Sequence, residues 1–377
     1  MPPRRRLILF LALVALAAAI YVVTRSRRDL VDFEVYRTAA QRAVAGEPLY
    51  RPEDGHWQFK YLPVFALIVA PAGRGNPEVV KVIWFAIGCG LLAVVFARSV
   101  DLLPERRRTE AGLIALTAFV TAKLWIKELV EGQTNLWLAA LVLGAVGVAN
   151  HQRRALAGVL VGVAVFVKPY ALIFVPWLLI ACGAGSVVAC ALTVAAGLAA
   201  PALVYGWQGD LTQHLAWWHG VTATTAPNLL FPENMSIASM WAKWIGAGAT
   251  ASALAVLTGL VLFGLVMTMF RRRATVSAPS LVEVSALLLL VPLLSPQGWD
   301  YVALLGIPAT MAVLDRWRTV SSFWRAVATA AIVVTGFTIY DLLGRATYLR
   351  AMSLSVLTLA AIALVVCVVH LRWRRLA

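Results

Sequence analysis

The sequence predicts an all-α polytopic membrane protein. Of its 377 residues, 61% are hydrophobic and only 14% charged, a balance too apolar for an ordinary soluble domain. Apolar runs of membrane length recur from end to end, and basic residues cluster at their ends, as expected of spans oriented by positive charge. Hydropathy places twelve spans, at 7–24, 79–97, 111–127, 134–150, 155–169, 170–182, 186–205, 249–270, 281–296, 301–314, 324–341 and 351–371. They form one integral-membrane domain over 1–377.

The first run, Leu7–Thr24, follows Arg4, Arg5 and Arg6 in the manner of a signal peptide. It is long and lacks a small-x-small cleavage site, and so reads as a retained span. The following segment, 25–78, is polar and holds 7 of the 18 Asp and Glu residues. Within it, 31–45 has helical periodicity (Phe33, Tyr36, Ala40, Ala43, Val44) and reads as a helix along the membrane surface. The apolar run 61–72 contains Pro63 and Pro71 and is too short to cross. Reading it as an interfacial helix puts Arg98, Arg106, Arg107 and Arg108 on the same side as the amino terminus.

With that assignment, 18 of the 33 basic residues fall in short cytoplasmic segments. Both termini are then cytoplasmic, and 25–78 faces outward as the first outer loop. The segment 155–182 is broken at Lys168-Pro169 and is either two short spans or one kinked helix. A second large outer loop, 206–248, carries Trp207, Trp217, Trp218, Trp241 and Trp244, which suit either a belt at the lipid–water boundary or stacking on sugars.

The net charge of +15 belongs to span ends facing anionic lipid, so nucleic acid is not the expected partner. Cys89, Cys182, Cys190 and Cys367 lie inside apolar runs without metal-ligand spacing and read as packing residues. No phosphate-binding glycine loop, zinc motif or soluble nucleophile motif is present. Neither a metal nor another cofactor is expected.

Chemistry concentrates in the outer segments. Asp32, in DFEVY just beyond the first span, is a carboxylate near hydrocarbon and suits a general base on an acceptor hydroxyl. Its alternative role is a helix cap or an ion-pair partner of Arg28. Lys60, Lys168 and Arg28 are candidates for a donor phosphate; a snorkelling role needs no phosphate for either lysine. In EGQTN (131–135), Gln133 and Asn135 either cap a descending helix or bind sugar hydroxyls. Tyr36, Tyr61, Asn234 in PENMSIAS, and Trp299 and Asp300 in SPQGWDY complete the sugar or acceptor candidates. The last two stretches read equally as turns.

Taken in order, these pieces resemble glycosyltransferase family 87. An Asp follows the first span, then come Gly46 with Leu49-Tyr50, Phe59-x-Tyr61-x-Pro63, Gly132-Gln133-x-Asn135, Lys168-Pro169, Asn234 with Ser236, and the Pro296-x-x-Trp299 turn. The resemblance covers nearly the whole chain. It implies a GT-C fold and an inverting transferase of the outer membrane face, with Asp32 as catalytic base. The donor it implies is a polyprenyl-phosphate sugar, as for the family's mannosyltransferases, and the acceptor a lipid or glycan. Two positions depart from the pattern: Leu62 stands where a second proline is usual, and the late turn reads Trp299-Asp300-Tyr301 rather than Trp-x-His. A transporter or flippase is the competing reading, and a non-catalytic scaffold a third. A transporter would place its polar groups at the bilayer midplane and show repeats, whereas this chain keeps them in outer loops.

Overall fold

The computed structural model describes residues 30–374. The expected first span 7–24 and Arg28 lie outside the described residues. In chain order the helices begin with α1 (Val31–Ala45), α2 (Pro63–Ile68), α3 (Ala70–Arg74), α4 (Pro77–Asp101), α5 (Glu110–Val120) and α6 (Ala122–Glu131). They continue with α7 (Asn135–Asn150), α8 (Arg154–Val167), α9 (Val175–Cys182), α10 (Ala184–Ala199), α11 (Ala202–Asn228) and α12 (Ile237–Ile245). The last are α13 (Ala249–Met267), α14 (Ser280–Leu294), α15 (Ile307–Asp315), α16 (Ser322–Phe337), α17 (Tyr340–Leu343), α18 (Arg345–Ser353) and α19 (Val356–Trp373). Among the described residues the only β pairing is one isolated bridge, Asn234 to Trp299.

Three of these segments, Pro77–Asp101, Ala249–Thr275 and Val356–Trp373, are long and apolar enough to cross a membrane. Two bent pairs, α6 with α7 (115°) and α10 with α11 (89°), pass the same test when each is taken together. These apolar helices mark the chain as a membrane protein. Other expected spans are shorter or broken, each for a local reason. The span expected over 111–127 breaks at Thr121, whose hydroxyl bonds back to Thr117 O at 2.7 Å, an arrangement that bends helices. The one expected over 301–314 opens as a 3₁₀ turn, Asp300–Gly306, and becomes α-helical only where Pro308 takes the first turn of α15. The segment 155–182 divides at Lys168-Pro169 into α8, a 3₁₀ turn Pro169–Phe174 and α9. The apolar run 61–72 is helical from Pro63 but interrupted at Val69.

The segment expected as an outer loop over 206–248 is largely helical. Helix α11 kinks at Gly206 and continues to Asn228. It presents Trp207, Leu211, Leu215 and Trp218 as an exposed apolar stripe at helical spacing. Helix α12 follows after a short irregular stretch, capped by Ser236, whose Oγ accepts the Ser239 N–H at 3.0 Å.

The described residues divide into two compact units: 30–94, 127–172 and 182–224 form one, and 95–126, 173–181 and 225–374 the other. In the first unit, α8 packs against both α7 and α10. Its close approach to α10 depends on Gly158 and Gly162, where a Cβ would collide with the Ser186 carbonyl or press on Thr193. Small residues four apart permit such backbone contact inside a membrane.

The second unit is built around α14, which is buried along nearly its whole length, as a helix apolar on all sides must be. The carboxylate of its one acidic residue, Glu283, is paired with Arg273 and, at 3.1 Å, with Arg372. The Asp315 carboxylate accepts the backbone N–H groups of Arg107 (2.9 Å) and Arg108 (3.0 Å). The basic clusters of the sequence thus also tie helix ends together through buried acids.

Candidate active site

The site is assembled in the first unit around α1. That helix forms because Asp32 and Glu34 sit in its first turn and Arg42 in its last, complementing the helix dipole. Phe33, Tyr36, Ala39, Ala40 and Ala43 form its buried stripe. Gly46 ends it, and Glu47 N–H returns to Arg42 O at 2.9 Å. At the other end Leu30 N–H donates to Val130 O at 2.8 Å, tying the start of α1 to the last turn of α6. Phe33 packs on Trp84, with ring centroids 5.0 Å apart.

This docking brings Gln133, 101 positions away in sequence, against Asp32: its Nε2 donates to Asp32 Oδ2 at 2.5 Å. The turn that aims Gln133 requires Gly132, which lies at φ 73 and whose carbonyl accepts from Trp84 Nε1 at 2.9 Å. A Cβ at Gly132 would sit 3.0 Å from Phe33 Cβ. Gly132→Ala is therefore expected to cost about 1–2 kcal/mol from the left-handed backbone alone. It should lower the unfolding midpoint of the detergent-solubilised protein; an unchanged midpoint would show that the turn relaxes freely.

The Gln133 amide has a fixed sense. Tyr36 O–H donates to Gln133 Oε1 at 3.3 Å, so the amide nitrogen faces the carboxylate. Tyr36 and Tyr61 hydroxyls lie 2.9 Å apart, and Tyr61 is 2.9 Å from Thr134 Oγ1. Since Tyr36 directs its proton to Gln133, the run of donors passes from Thr134 through Tyr61 and Tyr36 to the amide and ends on Asp32. Burial pushes the Tyr61 hydroxyl well above the ordinary phenol range, so it stays protonated and keeps a proton to donate. The ring of Tyr61 stacks on Phe65 at 4.6 Å, and its carbonyl accepts from Tyr50 O–H at 2.6 Å.

Burial raises the Asp32 carboxyl above its usual range, opposed by the Gln133 hydrogen bond and by the charges of Lys168, His56 and Lys60. Burial also lowers the Lys60 ammonium, against the pull of Asp32. Among the described residues no hydrogen bond is donated by the ammonium of Lys60 or Lys168. The arrangement offers one carboxylate with a fixed hydrogen-bond donor, and two cations in electrostatic reach of it with donors to spare. A base and a binding place for an anion can operate side by side there. Among the described residues no group of three or more His, Cys, Asp or Glu side chains is placed to hold a metal ion.

The remaining candidates go elsewhere. Asn135 turns away from Asp32 and donates to Glu128 Oε2 at 2.6 Å, while Leu136 N–H donates to Glu128 Oε1 at 3.1 Å. Glu128, fully buried, thereby closes the amino end of α7. The sequence places it beside EGQTN without assigning it a role, although an acid in an apolar run is itself a signal. Asn234, Trp299 and Asp300 belong to the second unit. Asn234 is buried, and its amide donates to Asn228 O (2.9 Å) and Pro296 O (2.7 Å) while accepting from Ser236 N–H (2.9 Å). It works as a turn staple. Trp299 packs edge-on to Phe231 at 5.8 Å. Asp300 is buried and paired with Lys123 at 3.1 Å.

Other contacts of the same unit hold its architecture. Leu49 is buried with its N–H on Gln213 Oε1 at 3.1 Å. Arg42 grips Asp54 with two bonds, 2.5 and 2.7 Å, a pair that sequence reasoning also missed and that the spacing of twelve residues across a turn does not signal.

No curated protein and no solved structure matches the chain. The model of glycosyltransferase family 87 matches residues 59–296. That range holds Tyr61, Gln133 and Lys168, and begins after Asp32 and α1. Because it spans more than half of the sequence, the chain belongs to glycosyltransferase family 87.

Proposed function

We propose that this glycosyltransferase moves a hexose, mannose in the first instance, from a polyprenyl-phosphate sugar to a lipid or glycan acceptor at the outer face of the cell membrane. The observation that carries this reading is the Asp32 carboxylate held by Gln133 at 2.5 Å, with Lys60 and Lys168 bearing on its charge. In the proposed reaction the acceptor oxygen attacks the anomeric carbon and its proton passes to Asp32. The bond from that carbon to the phosphate oxygen breaks, and the polyprenyl phosphate leaves with the electron pair. Lys168 and Lys60 offset the negative charge that gathers on the phosphate. The apolar tail stays in lipid throughout, a reason for such a site to lie at the membrane surface.

The proposed topology has twelve crossings in a GT-C arrangement and both termini in the cytoplasm, with the short apolar helices serving as broken crossings. Helix α11, with its exposed stripe of Trp and Leu, supports an outer interfacial element, as do α1 and the α2–α3 segment. The test is transfer in nanodiscs with polyprenyl-phosphate mannose, arabinofuranose and glucose beside GDP-mannose. The reading expects a lipid-phosphate sugar to be used and the nucleotide sugar to be inert; efficient use of GDP-mannose alone would overturn it.

A further inference from the structure

Helix α1 has a second working face. Opposite its buried stripe, a groove of about 390 Å³ opens between α1 and the 3₁₀ turn Pro52–Trp57, lined by Val31, Glu34, Thr38, Arg42, Asp54 and Trp57 among others. Its size suits a small organic ligand. The charges in it are already matched: Glu34 pairs with Lys81 at 2.8 Å, and Arg42 with Asp54 at 2.5 Å. A phosphate would find no uncommitted cation there, unlike the face that carries Lys60 and Lys168. Trp57 is half exposed and offers a flat apolar ring. Thr38 and the paired charges offer donors and acceptors around it, the combination that a neutral, hydroxyl-rich ring requires.

Two observations relate the groove to Asp32. Val31, on its wall, immediately precedes Asp32. His56, which bears on the charge of Asp32, packs edge-on to Trp57 with centroids 4.8 Å apart.

We propose that this groove seats a neutral sugar ring of the acceptor, stacked on Trp57, so that a hydroxyl of the acceptor reaches Asp32. The proposal rests on the glycosyltransferase reading with Asp32 as base. It divides the labour around α1, with the donor phosphate on the Lys60 and Lys168 side and the acceptor sugar on the Trp57 side.

Saturation-transfer NMR on the full chain in nanodiscs tests it, with the methyl glycosides of mannose, glucose and arabinofuranose as probes. At least one glycoside is expected to saturate the wild type, and Trp57→Ala to weaken it on the order of tenfold, with Trp57→Phe restoring most of the signal. Trp57 is exposed, so its removal should leave the unfolding midpoint unchanged. Saturation undiminished in Trp57→Ala, or no saturation by any of the three in wild type, overturns the groove as a sugar site. Asp32→Asn separates the two readings. Binding retained with transfer lost supports both, whereas transfer that persists overturns the base and leaves the groove standing.

Discussion

Asp32→Asn is expected to lower the rate of sugar transfer by about 10²–10⁴-fold, the range that a positioned general base contributes. Asn has the shape of Asp and can still accept from the Gln133 amide, so the docking of α1 should persist. Donor binding and the unfolding midpoint should therefore stay close to wild type, and assaying all three quantities on one preparation isolates the chemical role. The pH profile carries a second signature. As the proposed base, Asp32 works in its ionised form, and burial raises its pKa. Activity should therefore fall as pH drops through a midpoint above the ordinary carboxylate range, and a separate alkaline fall is expected where Lys60, whose ammonium pKa is lowered by burial, loses its charge. In Asp32→Asn the residual rate should lose that acid limb. A limb that persists unchanged would assign it to another group.

Lys168→Met is expected to produce the second large loss, on the order of 10²–10³-fold in transfer, as for removal of one group that stabilises developing charge. Lys168 sits at the break between α8 and the 3₁₀ turn Pro169–Phe174. There Pro169 lacks the N–H needed to continue the helix, which leaves the lysine at a helix end instead of within a span wall. Steady-state kinetics with a polyprenyl-phosphate sugar should show the turnover falling and the donor KM rising, and Lys168→Arg should recover part of both because Arg also binds phosphate. Full activity in Lys168→Met would leave Lys60 as the phosphate partner.

Much of this site could be read in the sequence because its parts obey local rules. Helix α1 was visible as a periodic stripe between a polar stretch and Gly46, and the observed bounds, Val31–Ala45, agree. The break at Lys168-Pro169 was visible because proline permits little else. Asp32 and Gln133 were each visible as polar residues beside lipid. Their 2.5 Å contact was not, since it depends on how α1 docks on the end of α6. The pairing of Glu128 was hidden for the same reason: its partner Asn135 lies across a turn whose path depends on the positive φ of Gly132. The helical path of α11 was hidden within 206–248, whose Trp residues suggest a boundary belt or sugar stacking in a loop, although Trp207, Leu211, Leu215 and Trp218 keep helical spacing through it. Asn234 drew attention as a polar residue in an outer segment, whereas its amide is saturated by backbone groups. Residue type alone does not separate a turn staple from a sugar contact.

The most direct measurement is the anomeric configuration of the transferred sugar, read by NMR of the product formed from a lipid-phosphate donor of known configuration. With Asp32 as base on the acceptor and a single displacement, the configuration is inverted. Retention would require a covalent glycosyl-enzyme and a carboxylate acting as nucleophile, and would contradict the account.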